Sequence, residues 1–113
     1  GDKEKERVVL KFHPKLAPIK VAVLPLVKKE VLDTPARELF EDLQKDYKSE
    51  YDVSGSIGKR YRRQDEIGTP FCITFDFDSL DDQSVTIRNR DTMVQERIEI
   101  TKVKNYLLNK LKF

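Results

Sequence analysis

The sequence is poor in the residues that usually build covalent or metal-bound sites. It has one cysteine, Cys72, and one histidine, His13. A single cysteine excludes an internal disulfide and a cysteine-based zinc cluster, and a single histidine excludes a site built from several histidines. No run of about 18 apolar residues exists, so we expect no membrane span and no membrane partner. We also expect no metal site and no catalytic residues.

Charge is what the sequence has in excess. Charged residues fill 37% of the 113 positions, against about 25% in a typical protein. The 22 basic and 20 acidic residues nearly cancel and leave a net charge of +2, while hydrophobic residues make up 38%. This composition predicts one domain with a modest core and a surface of mixed charge.

The first residues of the sequence have the composition of a linker. Residues 2–7 are all charged, and the chain begins with Gly1 and has no apolar signal segment. We therefore interpret residues 1–7 as a charged lead-in or linker, residues 8–113 as the domain, and the whole as a domain taken from a longer protein. The apolar patch at 8–12 could be a strand or a docking segment.

Patterns of apolar residues predict alternating strands and helices. The apolar run in 20–26 is typical of a strand covered on both faces, and the alternation in 71–77 is typical of a strand with one buried face. Further strands are predicted at 51–53, 85–89 and 92–100, helices at 33–48, at 57–67 and after 101, and a polar turn at 78–83. This order predicts a mixed sheet with helices on its faces.

Capping residues predict where the helices begin and end. Asp33 precedes a Thr-Pro pair, the order expected at a helix start. Ser56 can cap the second helix, Gly68 stands where a helix often ends, and Thr101 can cap the last helix.

The densest chemical feature is a basic stretch in the predicted helix 57–67. Four of the five residues from Lys59 to Arg63 are basic, and Tyr61 lies among them. Arginine offers a planar donor fork that matches phosphates and base edges, and basic side chains beside aromatic ones are typical of proteins that bind single-stranded RNA. The alternative is a solvated helix face whose arginines pair with acids such as Asp65 and Glu66.

A second basic feature is the pair Arg88 and Arg90, followed by Asp91. Strand alternation puts both arginines on one polar face, which could read bases or could be an ordinary solvent face. The acids around the turn 78–83 lack the glycine and the closing glutamate of a calcium loop. Cys72 lies in an apolar strand, which predicts a buried and inert thiol. The residues alone therefore predict a small α/β binding module rather than an enzyme.

The stretch at 54–78, SGSIGKRYRRQDEIGTPFCITFDFD, resembles the C-terminal anticodon-binding domain of glycyl-tRNA synthetases of the homodimeric class II type. The resemblance extends back to LAPIKVAVLPL at 16–26 and forward to VTIRNRDTM at 85–93, so that it covers about residues 8–112. Related domains occur in the histidyl, threonyl and prolyl synthetases and in the accessory subunit of mitochondrial DNA polymerase. The resemblance implies the class IIa anticodon-binding fold, a mixed five-stranded sheet flanked by three helices.

The same resemblance implies a function in translation, namely binding the anticodon loop of glycine tRNA in the cytoplasm. It places aminoacylation, with ATP and Mg²⁺, in a separate catalytic domain, so we expect no cofactor here and no glycine–tRNA ligase activity from this domain alone. The parent enzyme is expected to be a homodimer through its catalytic core, which leaves the fragment free to be a monomer, and no DNA partner is expected. The alternative is a protein-interaction or accessory-subunit module of the same fold.

The chemistry of the implied target selects candidate residues. Glycine anticodons end in two cytosines, and the pairing edge of cytosine offers an amino donor beside two acceptors. Arginines can serve the acceptors, carboxylates can serve the donor, and aromatic rings such as Tyr61 can stack on bases. Tyr61 and Phe71 could each belong to the core instead. Ligands of open α/β sheets gather beyond the carboxyl ends of parallel strands, which adds Pro25, Leu26 and Val27 as neighbours. The candidate RNA-binding residues are Arg60, Arg63, Asp65, Glu66, Phe71, Arg88, Arg90 and Asp91.

Overall fold

The computed structural model describes residues 17–111, which form a mixed five-stranded sheet with helices on both faces. The strands are β1 (Val21–Pro25), β2 (Ser49–Tyr51), β3 (Phe71–Phe75), β4 (Ser84–Asn89) and β5 (Gln95–Glu99). The helices are α1 (Glu30–Gln44), α2 (Ile57–Ile67), α3 (Phe77–Asp82) and α4 (Val103–Lys110), with a 3-10 turn at Ile100–Lys102 before α4. The charged lead-in, the apolar patch at 8–12 and His13 lie outside the described residues.

The strand order β2-β1-β3-β4-β5 confirms the predicted mixed sheet. β1 pairs in parallel with β2 and β3, whereas β4 and β5 are added antiparallel as a hairpin. All five residues of β1 are buried, because this strand lies between two others and has helices on both of its faces. Its continuous apolar run is the pattern that such a position requires.

The main core lies between one face of the sheet and the helices α1 and α4. Val23 of β1, Ile73 of β3 and Ile87 of β4 supply the sheet side, and Leu43 and Leu107 supply the helix side; all five are 0% exposed. α2 covers the other face. The sheet therefore separates a larger apolar core from a smaller layer under α2, and the smaller layer carries most of the candidate residues.

The predicted polar turn at 78–83 is wrong, because residues Phe77–Asp82 form the helix α3. Asp76 accepts a hydrogen bond from the amide of Ser79 at 3.0 Å, and the Ser79 hydroxyl accepts one from the amide of Asp76 at 3.1 Å. This reciprocal capping box starts a helix even in a short polar segment. The predicted strand therefore ends at Phe75, and Phe77 is 44% exposed rather than part of an inward row.

Two predicted helix starts also differ from the structure. α1 begins at Glu30, before the predicted cap at Asp33, because the amide of Asp33 already donates to the Lys29 carbonyl oxygen at 2.8 Å. The Asp33 carboxylate accepts a hydrogen bond from the Tyr51 hydroxyl at 2.6 Å instead of capping the helix. Thr101 lies inside the 3-10 turn, and α4 starts after Lys102 without a side-chain cap. Within residues 17–111, no helix combines the length and the apolar character needed to cross a membrane.

Two adjacent leucines of α4 allow a matched test of the main core. Leu107 is 0% exposed and Leu108 is 59% exposed. We expect Leu107→Ala to lower the free energy of unfolding by about 2–5 kcal/mol, since it leaves a cavity between helix and sheet. Leu108→Ala should change it by less than about 0.5 kcal/mol. Urea denaturation of both variants measures the difference, and equal effects would contradict this placement of α4.

Candidate nucleic-acid interface

The basic stretch of the sequence lies on α2, and both predicted boundaries of this helix are confirmed. Ser56 starts the helix by accepting a hydrogen bond from the amide of Lys59 at 3.2 Å, as capping serines do. Gly68 ends it in the left-handed conformation at φ 84°, where a residue with a side chain would be strained. The two caps fix where α2 begins and where it ends.

The inward face of α2 covers only part of the sheet. Ile57 and Tyr61 pack against residues of β1 and β3, among them Leu24 and Cys72. On the same face of the sheet, Arg88 of β4 lies beside Cys72 of β3, and β5 is the next strand beyond β4. The polar side chains of β4 and β5 extend this face beyond α2. We call three of them the open strip: Thr86, Gln95 and Arg97.

Arg60 is a buried residue that stabilises the fold and does not reach the surface. It is only 3% exposed, and its guanidinium donates to the carbonyl oxygens of Pro25, Leu26 and Asp52, the last two at 3.1 and 3.2 Å. Burial lowers its pKa. Arg60 thus ties α2 to the chain segments that leave β1 and β2, and its burial keeps the guanidinium away from a ligand at the surface.

Arg63 forms an ion pair with Asp52, whose side chain is 5% exposed. The same carboxylate accepts hydrogen bonds from the Ser54 amide at 3.1 Å and from the Gln64 side chain at 3.2 Å. Burial by itself would raise the pKa of Asp52, but the bonds from Arg63, Ser54 and Gln64 outweigh it and lower the pKa. We call Asp52, Arg60, Arg63 and Gln64 the Asp52 cluster; of its two arginines, Arg63 is the more exposed.

Arg88 and Asp65 form the second group of paired charges. The two terminal nitrogens of Arg88 donate to the two carboxylate oxygens of Asp65 at 3.0 and 3.1 Å, the bidentate geometry that gives strong and directional pairs. The guanidinium carbon lies 5.0 Å from the Tyr61 ring centre, and Nη2 lies 3.2 Å from Met93 Sδ. Hydrogen bonding to Asp65 raises the pKa of Arg88. We call these four residues the Arg88 cluster.

Arg90 and Asp91 lie directly beside the Arg88 cluster. Arg90 Nε donates to the backbone oxygen of Asp65 at 2.9 Å, and its Nη1 donates to the Asp91 carboxylate at 3.3 Å. The Arg90 side chain is 9% exposed, whereas Asp91 is 52% exposed. The structure therefore brings four of the predicted residues, Asp65, Arg88, Arg90 and Asp91, to one place, where the end of α2 meets the end of β4. Glu66 lies on the exposed side of α2.

Phe71 belongs to the main core. It is 3% exposed, and its ring meets the Tyr106 ring edge-on at a centroid distance of 6.2 Å. Its ring therefore presents no open face for a base, and the core alternative from the sequence applies. Tyr61 is half-buried: its ring packs under α2 and its hydroxyl shares a hydrogen bond with Thr74.

Arg97 is a polar residue of the open strip that sequence reasoning missed. Its terminal nitrogens donate to Asp76 at 3.0 and 3.2 Å, to Asp82 at 3.2 Å and to Thr86 at 3.1 Å. Burial opposes ionisation of Asp76, but the bonds from Arg97 and from Ser79 outweigh it and lower its pKa. Alternation along β5 was the signal that could have placed Arg97 on the same face as the other polar groups.

Two cations on α2 are free to meet a ligand. Among residues 17–111, the side chains of Lys59 and Arg62 are exposed and form no ion pair.

Close to the start of α2, a cleft of about 360 Å³ opens beyond the carboxyl end of β1, with Leu26, Val27 and Lys28 on one side and Ile57 on the other. Leu26 and Val27 thus lie near the start of α2, whereas the Arg88 cluster lies near its end, so their place beside the RNA stays a prediction.

Neither the cysteine nor the possible metal ligands of the described residues form a reactive centre. Cys72 is 2% exposed, and burial raises its pKa to about 12, so that the thiol stays protonated at neutral pH. Over the range 17–111, no group of three His, Cys, Asp or Glu side chains is placed to hold a metal ion. What the surface offers is paired hydrogen-bond donors and acceptors beside a polar strip, with free cations nearby. Such a surface can bind a polyanion and contact base edges.

Comparison with known proteins agrees with this picture. The family model described as "Anticodon binding domain" matches residues 20–110. The chain is 63% identical over 112 residues to the glycine–tRNA ligase of Alkaliphilus oremlandii, covering 99% of this chain and 24% of that ligase. It is 60% identical over 113 residues to the glycine–tRNA ligase of Staphylococcus saprophyticus, covering 100% of this chain and 24% of that ligase. The chain thus spans about a quarter of the length of these curated relatives.

A solved structure shares the fold at lower identity. The RNA binding domain of threonyl-tRNA synthetase from Cryptosporidium parvum Iowa II superposes with a TM-score of 0.72 at 22% identity, covering 81% of this chain and 23% of that one. The likeness supports the mixed α/β architecture described above.

Acid should destabilise the fold through Asp52. A carboxyl whose pKa is lowered by folding stabilises the protein above its unfolded-state pKa of about 3.9, and this contribution is lost as the pH falls through the lower folded-state value. We therefore expect the free energy of unfolding to decrease between about pH 5 and pH 2. Asp52→Asn should cost about 1–3 kcal/mol at pH 7 and should weaken this pH dependence, as measured by urea denaturation.

The matched control for that experiment is Glu66→Gln, which changes an exposed acid of α2. We expect the free energy of unfolding of this variant to match that of the unsubstituted protein at each pH. If Asp52→Asn keeps the full pH dependence, Asp52 is not the group that sets it.

Proposed function

This chain belongs to the family of anticodon-binding domains, and we propose that it holds the anticodon loop of glycine tRNA as part of a glycine–tRNA ligase. The observation that carries the proposal is the bidentate pair of Arg88 and Asp65 at the border of the open strip. High identity to glycine–tRNA ligases over the whole chain supports the choice of glycine. Anticodon bases would lie across the open strip, with the loop backbone along α2.

The pair of Arg88 and Asp65 suits the pairing edge of cytosine. That edge carries an amino group, which needs an acceptor, beside a ring nitrogen and an oxygen, which need donors. Asp65 is 34% exposed and can accept from the amino group, while Arg88, which is 9% exposed, can donate to a neighbouring acceptor through the Nη2 hydrogen that here contacts Met93 Sδ. Because the two side chains already hold one another in a plane, little conformational freedom is lost when a base binds.

The free cations of α2 suit a different part of the RNA. Lys59 and Arg62 are exposed and unpaired among the described residues, and contacts of this kind with phosphates position an RNA without reading its sequence. We therefore assign base recognition to Arg88 and Asp65, and backbone contact to Lys59 and Arg62. Aminoacylation, with its ATP and Mg²⁺, we assign to the other parts of the parent ligase, acting in the cytoplasm.

The specific claim can be tested with the isolated chain and RNA stem-loops. We expect the glycine anticodon stem-loop to bind at least about tenfold more tightly than a loop in which both anticodon cytosines are uridines. Fluorescence anisotropy at fixed salt measures both dissociation constants. Equal affinities would contradict base reading, and stable self-association without RNA binding would favour an interaction module.

Two arginines separate base reading from phosphate contact. Arg88→Gln should weaken binding of the cytosine loop by about tenfold while changing the uridine loop little, because the lost donors serve a base. Arg62→Gln, on the exposed side of α2, should weaken both loops alike and reduce the salt dependence of binding. Thermal denaturation of each variant confirms that it is folded. If Arg88→Gln affects both loops equally, the assignment of Arg88 to a base is wrong.

A further inference from the structure

Met93 lies in the turn that joins β4 and β5, and this turn has a fixed shape. Asn89 accepts hydrogen bonds at its side-chain oxygen from the amides of Asp91 and Thr92 at 2.9 and 3.1 Å. Its backbone oxygen accepts one from the amide of Met93 at 2.8 Å. Met93 itself has φ 63° and is 58% exposed. The turn therefore holds the methionine in one place although its side chain reaches solvent.

The sulfur of Met93 occupies a donor of Arg88. Each terminal nitrogen of arginine carries two hydrogens. At Nη2 of Arg88, one partner is Asp65 at 3.1 Å and the other is Met93 Sδ at 3.2 Å. A thioether is a weak acceptor, so a base oxygen or nitrogen can replace it at small cost. The Nη2 hydrogen of Arg88 that a bound base would use is thus covered by the Met93 side chain, which a base can displace.

We propose that Met93 is an oxidation site that controls access to Arg88, so that conversion to the sulfoxide weakens RNA binding. The oxidant is a hydroperoxide such as hydrogen peroxide. The sulfur lone pair attacks one peroxide oxygen, a sulfur–oxygen bond forms, the oxygen–oxygen bond breaks, and water leaves after proton transfer. The sulfur is oxidised and the peroxide is reduced. This inference rests on the proposed function, since it concerns the same arginine.

The sulfoxide differs from the thioether in the property that matters here. Its oxygen is a polar acceptor, whereas the sulfur it replaces is a weak one. A sulfoxide oxygen close to Nη2 would hold the Arg88 donor with a charge-assisted hydrogen bond. A base would then have to break that bond before it could bind. Oxidation can be reversed by methionine sulfoxide reductases, so the modification can act as a switch.

The sequence makes this site easy to isolate by experiment. The chain has one methionine and one cysteine. Cys72 is 2% exposed with its pKa raised by burial, so peroxide should react at Met93 first. A single added oxygen, found by mass spectrometry in the peptide that contains Met93, identifies the product.

The test compares stem-loop binding before and after treatment with hydrogen peroxide. We expect the dissociation constant for the glycine anticodon stem-loop to rise about tenfold on oxidation. It should return to the value of the untreated protein after incubation with methionine sulfoxide reductases. The melting temperature should change little, because Met93 is exposed. Met93→Leu, which keeps an apolar side chain of similar size, should bind like the untreated protein and should not respond to peroxide.

A second variant tests the mechanism without an oxidant. Met93→Gln puts an amide oxygen near the place of the sulfoxide oxygen, and it should weaken binding as oxidation does. Unchanged affinity in both the oxidised protein and Met93→Gln would overturn the inference, as would an equal response of Met93→Leu to peroxide. These failures differ from failure of the proposed function, in which the untreated protein would not distinguish cytosine from uridine loops.

Discussion

The attachment of α2 to the sheet determines how the charged residues of this helix lie relative to those of β4. Arg60 binds the first half of the helix to backbone oxygens that follow β1 and β2, and Asp65 binds the second half to Arg88 of β4. Two guanidinium groups, one at each end, thus keep α2 from shifting, and its outer cations point in a fixed direction.

Local patterns were enough to predict most of the fold. The alternating and continuous apolar runs located the strands, and Ser56 with Gly68 bounded α2 correctly. The errors arose where a capping residue had a second possible partner. Asp33 looks like a cap but accepts a hydrogen bond from Tyr51, which lies 18 positions away. Asp76 looks like part of a strand but starts a helix with Ser79. Neither outcome is visible in the spacing of residues.

The sequence predicted which types of residue form the site, but it did not predict what each residue contacts. The partners of Arg60 lie up to 35 positions away and are backbone oxygens, so no side-chain motif reveals them. Phe71 alternates with its neighbours, but only packing on Tyr106 decides which face is inward. The net charge of +2 now has a structural meaning. Among residues 17–111, Arg63, Arg88, Arg90 and Arg97 pair with acids of the fold, which limits their nonspecific attraction to nucleic acid.

The two outer strands show how this sheet avoids adding strands from other molecules. β2 has three residues, and β5 carries the charged residues Glu96, Arg97 and Glu99 along its length. Short edges and charged edges both disfavour pairing with a foreign strand. A sheet with edges of this kind can be carried on a much longer polypeptide, at the high local concentration of growing chains on a polysome, without joining neighbouring copies into aggregates.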